Sequence, residues 1–198
     1  MNTTTISMKE ALTVLRGTSP YRSALIKEIK TKPGQEQLFT WYREKNTNLA
    51  TVLRNISSQS YGPLMQKIHI RHNKLEKVAA TEDRGDFRRN KSYYEYKFTI
   101  QSSDGKTNFV QIRPWQKCDY VFEVLNLQNE LELYYVPKRR LMQLVEEYGG
   151  AAHGTKEANS SNKKVEYALR PTKNNDCWND LQKYRITREE LSETYDKQ

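Results

Sequence analysis

Apolar residues in the first third of the chain recur at helical spacing. Three segments, 7–17, 20–31 and 35–55, show this periodicity and are separated by proline and glycine signals. We therefore predict an N-terminal helical region, residues 1–59, that is distinct from the rest of the chain. Its position outside the predicted core makes it a candidate dimerisation surface.

Between residues 60 and 150 the pattern becomes a mixture of helices and alternating strands. A helix is predicted over 61–74, and a hairpin over 84–88 and 92–101. Two strands and a helix follow within CDYVFEVLNL, ELELYYV and PKRRLMQLVEEYGG. The segment TNFVQIRPWQ is ambiguous, and one interpretation is a short helix that ends before Pro114. The order predicts the α/β class, with a mixed β-sheet flanked by helices.

Residues 151–198 are less regular and form a C-terminal extension. A polar loop is followed by a strand in VEYALRP and a short helix in NNDCWNDLQKY. A last helix is predicted in TREELSETY, where Thr187 and Glu190 have the spacing of a capping box.

The strand predicted over 92–101 carries charges where a core strand should be apolar. Side chains alternate along a strand, so that Tyr93, Glu95 and Lys97 share one face. The other face is aromatic and suited to packing against a helix; it consists of Tyr94, Tyr96 and Phe98. A buried charge without a partner is costly, so the charged face must meet solvent, a ligand or a metal.

The hairpin register decides whether a second acid joins this face. An even number of loop residues sets Asp86 opposite Tyr93 and on the face of Glu95, roughly 7 to 8 Å away along the diagonal. An odd number would turn Asp86 to the other face. We expect the even register, in which both carboxylates can bind one Mg²⁺ ion.

Two carboxylates beside a lysine suit metal-assisted phosphodiester hydrolysis. The ion polarises the phosphodiester and lowers the pKa of bound water, and the lysine orients or deprotonates the attacking water. Acid-x-Lys triplets also begin at Glu28 and Asp104, but only that of Glu95 lies on a predicted strand with an acid across a hairpin. The alternative is an edge strand whose Glu95–Lys97 pair is exposed to solvent.

Charge indicates the class of partner. Lys and Arg number 33 against 24 Asp and Glu, which gives a formal net charge of +9. Such a balance favours a polyanion, most often nucleic acid. Because no run of like charge reaches the length of a tail, we expect binding by a folded surface.

Cysteine and hydropathy patterns exclude several classes of protein. Cys118 and Cys177 form neither a disulfide framework nor, with three scattered histidines, a zinc-ligand spacing. We find no signal peptide and no run of about 18 apolar residues that could span a membrane. These features predict a cytoplasmic protein with reduced cysteines.

Gly85-Asp86, followed across a hairpin by Glu95-Tyr96-Lys97, resembles the PD-(D/E)xK nuclease motif, especially that of type II restriction endonucleases. YGPLMQKIHIRHNKL and FVQIRPWQKCDYVFEV are similar to segments of that superfamily, and HGTKE and YALRP more weakly so. Gly85 stands where the family usually has proline. The resemblance implies a restriction-endonuclease-like core over 60–150, with Asp86 and Glu95 as Mg²⁺ ligands and Lys97 as the third catalytic residue.

The resemblance also suggests groups that contact DNA. Basic residues near the hairpin and the crossover would bind phosphates: Arg84, Arg88, Arg89, Lys91 and Arg113. Gln111 and Gln116 would orient DNA or the attacking water, or only cap the crossover. In the C-terminal extension we expect His153, Thr155 and Lys156 to enter a groove and read base edges.

The leading hypothesis is therefore a Mg²⁺-dependent endonuclease of restriction type that cuts double-stranded DNA. A homodimer would match the two-fold symmetry of a palindromic site, and a cognate methyltransferase would act on the same site. One alternative is a repair or structure-specific nuclease with the same fold. Another is a non-catalytic DNA-binding protein.

Overall fold

The computed structural model describes residues 58–79, 83–128, 130–151 and 165–197. The expected helices over 7–17, 20–31 and 35–55 lie outside the described residues. Helix α1 (Ser58–His72) occupies the place of the predicted helix over 61–74 and belongs to a unit that ends at Lys74. The described residues from Leu75 onward belong to a second compact unit, which carries the sheets.

A six-stranded mixed sheet forms the centre of the second unit. Its order is β1-β2-β3-β5-β6-β9, and only the central pair β3–β5 is parallel. The strands of this sheet are β1 (Glu76–Lys77), β2 (Phe87–Arg89), β3 (Ser92–Ile100), β5 (Asp119–Leu125), β6 (Leu131–Val136) and β9 (Arg185–Ile186). The predicted hairpin is thus β2–β3, and the two later strands are β5 and β6.

A smaller antiparallel sheet, in the order β4-β8-β7, covers part of one face; its strands are β4 (Phe109–Ile112), β7 (Gly150–Ala151) and β8 (Tyr167–Leu169). The interpretation of TNFVQIRPWQ as a helix is therefore wrong. The apolar pair Phe109 and Ile112 has the i, i+3 spacing of a helix, but here the spacing results from an irregularity in the pairing with β8. Gln111 has φ +58° at this point, so both apolar side chains turn inward.

Among the described residues of the second unit, the helices are α2 (Lys138–Tyr148), α3 (Asp176–Gln182) and α4 (Arg188–Lys197). The predicted capping box is confirmed, since Thr187 N–H donates to Glu190 at 2.8 Å and Glu190 N–H donates to the Thr187 hydroxyl at 3.1 Å. Pro137 precedes α2, and the carboxylate of Asp119 accepts from Lys138 N–H at 2.7 Å. None of the helices in the described ranges is long and apolar enough to cross a membrane.

The two faces of the large sheet have different cores. One face packs into an apolar cluster with β4, β8, α2 and α3, where Phe109 stacks on Phe122 with ring centroids 4.2 Å apart. The other face is aromatic and packs against α4, as the alternation of β3 predicts. Tyr195 of α4 meets Phe87 and Tyr94 at 5.9 and 4.8 Å between ring centroids. Odd-numbered and even-numbered side chains of β3 therefore lie on different faces of the sheet, and the even-numbered face packs against α4.

We expect Tyr195→Ala to lower the free energy of unfolding by about 3 to 5 kcal/mol, because it empties a fully buried aromatic site between α4 and the sheet. Urea-induced unfolding measures this change. Glu193→Ala, on the exposed side of the same helix, serves as the control and should leave the midpoint nearly unchanged. Equal effects of the two substitutions would contradict this account of α4.

Candidate active site

The hairpin register sets Asp86 beside Glu95. The paired residues are Phe87 with Tyr94 and Arg88 with Tyr93, around a tight turn at Asn90-Lys91. The expectation that Asp86 lies opposite Tyr93 is therefore wrong by two residues, because the two-residue turn is centred one residue later, at Asn90-Lys91, where Asn90 adopts φ +54°. A shift by two residues leaves Asp86 on the same face of the sheet as Glu95. Since Phe87 pairs with Tyr94, the next position outward sets Asp86 level with Glu95.

Asp86 ends the β2–β3 ladder by using its side chain in place of a backbone acceptor. Its N–H donates to the Tyr94 carbonyl at 2.8 Å, and its Oδ2 accepts from Tyr96 N–H at 2.9 Å. The carboxylate is therefore fixed to the backbone of the residue between Glu95 and Lys97.

Gly85 permits the chain to approach β3 at this point. Its φ is +125°, and a Cβ placed there would lie 2.6 Å from the Tyr94 carbonyl oxygen. Proline, with φ fixed near about −65°, cannot adopt this conformation. Glycine at position 85 thus has a local cause in the backbone.

Glu95 is buried in the centre of the large sheet rather than exposed at its edge. Strand β3 lies between β2 and β5, and only 3% of Glu95 is accessible to solvent. Its Oε1 accepts from Lys97 Nζ at 2.6 Å, and its Oε2 accepts from Gln116 Nε2 at 3.0 Å. The alternative of an edge strand with a solvated ion pair is therefore wrong.

A turn between β4 and β5 delivers Gln116 to this carboxylate. Gln116 N–H donates to the Arg113 carbonyl at 3.2 Å across Pro114-Trp115, and Lys138 Nζ donates to the same carbonyl at 2.6 Å. Sequence reasoning treated Gln111 and Gln116 alike. Only the structure separates them, since Gln111 is exposed at the irregularity of β4 whereas Gln116 is buried against Glu95.

Both acids influence the ionisation of a neighbouring buried thiol. Burial raises the pKa of the Cys118 thiol to about 12; the charges of Glu95 and Asp86 add to the shift, and the charge of Lys138 opposes it. Burial lowers the pKa of Lys138, and the charges of Cys118 and Glu95 counteract that shift. Both carboxylates thus act on one buried thiol at the start of β5.

The donor set suits a hard divalent cation. Asp86 and Glu95 provide carboxylate oxygens, which are the ligands that Mg²⁺ prefers, and water or phosphate oxygens would complete the coordination. Within the ranges that the structure describes, no group of three or more His, Cys, Asp or Glu side chains converges as a metal site. A cation here would thus depend on these two acids.

The expected DNA-contacting groups are distributed over both faces of the hairpin. Arg84 lies over the Tyr93 ring at 4.4 Å from its centroid, and Arg88 donates to Glu76 at 2.7 Å. Arg89 projects to the opposite face, where it pairs with Asp196 of α4.

The other expected contacts lie further along the chain. Lys91 is in the hairpin turn, and Arg113 pairs with Glu166 at 2.7 Å. His153, Thr155 and Lys156 fall outside the described residues. The structure therefore brings together the acids, Lys97 and Gln116, and leaves the predicted DNA contacts dispersed around them.

No protein-family model matches the chain, and no curated protein is significantly similar to it. The resemblance to PD-(D/E)xK nucleases thus rests on the motif residues Asp86, Glu95 and Lys97.

Cys118 should be unreactive in the native protein, because its pKa of about 12 keeps the thiol protonated. In Cys177→Ser, which leaves Cys118 as the one thiol, we expect iodoacetamide at pH 8.5 to react roughly two to three orders of magnitude more slowly than after unfolding in guanidinium. The raised pKa stabilises the fold below about pH 9, and this contribution is lost as the pH rises to about 12. Rapid labelling of the native protein would contradict the burial of Cys118.

Proposed function

We propose that this protein is a Mg²⁺-dependent endonuclease that hydrolyses phosphodiester bonds in double-stranded DNA, with a restriction-endonuclease-like core. The observation that carries the proposal is the placement of Asp86 next to the Glu95–Lys97 pair at the centre of a mixed sheet. The same residues form the PD-(D/E)xK-like motif of the sequence.

The residues divide the chemistry among them. Asp86 and Glu95 would hold the ion; when bound, Mg²⁺ would polarise the phosphodiester and lower the pKa of a water molecule. Lys97, whose ammonium is 2.6 Å from Glu95 Oε1, would orient the attacking water and offset the charge that develops on the phosphate. The hydrogen bond from Tyr96 N–H holds the Asp86 carboxylate against strand β3.

The pairing of a buried Glu95 with a half-buried Asp86 favours an enzyme over a passive DNA-binding protein. Lys97 offsets the charge of Glu95, but together with Asp86 the three groups carry a net negative charge, which is costly to maintain beside a polyanion unless a further cation is bound. An ordinary structural ion pair could be replaced by apolar residues at little or no loss of stability. A requirement for a cation accounts for the presence of both acids.

Sequence-specific cleavage by a homodimer, with a cognate methyltransferase, is the form of this activity that we propose. A two-fold dimer would present two such sites to the two strands of a palindrome. A repair or structure-specific nuclease would use the same acids and lysine on a junction or flap. The substrate therefore distinguishes these two forms, whereas the chemistry does not.

Incubation with plasmid DNA and Mg²⁺ tests the proposal. We expect discrete fragments from the wild type, and we expect Glu95→Ala and Lys97→Ala to lower the cleavage rate by roughly 100- to 10,000-fold. EDTA should abolish the reaction.

The exposed Asp104–Lys106 pair is a matched control, because it repeats the acid-x-Lys pattern in a turn with an ion pair of 2.7 Å. Asp104→Ala and Lys106→Ala should cut like the wild type. Unchanged cleavage by Glu95→Ala or Lys97→Ala would overturn the site, and cutting confined to junctions or flaps would favour the repair nuclease.

A further inference from the structure

Glu95 is the end of a buried hydrogen-bond chain that runs through two further side chains. Gln116 Nε2 donates to Glu95 Oε2 at 3.0 Å, and the Tyr120 hydroxyl donates to Gln116 Oε1 at 2.7 Å. Arg113 N–H donates to the Tyr120 oxygen at 3.2 Å. Gln116 is 4% exposed and Tyr120 is fully buried, so the chain is shielded from water.

The chain has a defined direction. Because the Tyr120 oxygen accepts from a backbone N–H, its own proton is available to Gln116, whose amide oxygen can only accept. The amide nitrogen of Gln116 is thereby turned towards Glu95. The backbone of Arg113 thus determines, through two side chains, that a donor faces the carboxylate.

The start of this chain is held rigidly. Lys138 Nζ donates to the Arg113 carbonyl, and it lies 5.3 Å from the centroid of the Tyr120 ring. Tyr120 lies near the start of the parallel pair, directly level with Glu95 in the register of β3 and β5. Helix α2, the β4–β5 turn and strand β5 therefore all restrain Gln116.

We propose that Gln116 is a positioning residue for Glu95, and that Tyr120 acts through it. Lys97 holds the other oxygen of Glu95, but a lysine has a flexible stem and does not by itself fix the plane of a carboxylate. The amide of Gln116 fixes that plane, so that the remaining lone pairs of Glu95 meet a divalent cation in one geometry. This inference rests on the proposed function, since it assigns a role towards the cation of that site.

Binding of Mn²⁺ alone, without DNA, tests the role independently of activity. Free Mn²⁺ is measured by electron paramagnetic resonance for the full chain. We expect Gln116→Met, which retains the length of the side chain but removes both hydrogen bonds, to weaken Mn²⁺ binding about 10- to 100-fold. Tyr120→Phe should weaken it less, in the same direction.

The double variant and a matched glutamine separate positioning from packing. If Tyr120 acts through Gln116, the double variant binds Mn²⁺ no more weakly than Gln116→Met. Gln101 is another buried glutamine of the protein, outside this hydrogen-bond chain. Its Nε2 donates to the Gly105 carbonyl and not to Glu95. Gln101→Met should therefore lower the melting temperature without changing Mn²⁺ affinity.

The outcomes distinguish the inference from the proposed function. Wild type that binds Mn²⁺ and cuts DNA, together with unchanged affinity in Gln116→Met, would overturn the positioning role alone. Fully additive losses in the double variant would overturn the role of Tyr120 through Gln116. Wild type that neither binds Mn²⁺ nor cuts DNA would overturn both.

Discussion

A carboxylate buried in the middle of a β-sheet must be supplied with hydrogen-bond donors, and the structure around Glu95 meets this requirement. Lys97 reaches it from the same strand, and Gln116 reaches it from the turn before the neighbouring strand. Lys138, the first residue of α2, donates a hydrogen bond to the Arg113 carbonyl of that turn. The parallel pairing of β3 with β5 places the turn that carries Gln116 beside Glu95.

The position of Asp86, the second acid, is fixed by a backbone hydrogen bond. Asp86 lies where the hairpin ladder stops, and it replaces a strand carbonyl as the acceptor for Tyr96 N–H. Gly85 makes the approach sterically feasible. The two acids are thus held by different means, Glu95 by side chains and Asp86 by the backbone of β3.

The opposite face of the same strands serves stability. The Tyr96 hydroxyl and Arg188 of α4 both donate to Glu123, which is fully buried on β5. Together with the edge-to-face contacts of Tyr195 with Phe87 and Tyr94, these hydrogen bonds attach α4 to the sheet. Tyr96 therefore links the two faces, because its N–H binds Asp86 while its hydroxyl binds Glu123.

The sequence by itself determined what depends on near neighbours: the alternating faces of β3, the hairpin, the strands β5 and β6, helix α2 and the capping box at Thr187. Each of these follows from periodicity or a local hydrogen bond. Tertiary structure alone decided that TNFVQIRPWQ forms a strand, because the inward turn of Phe109 and Ile112 requires pairing with the distant β8. It also decided that Gln116 rather than Gln111 meets Glu95, since the contact depends on the register between β3 and β5, which no local pattern encodes.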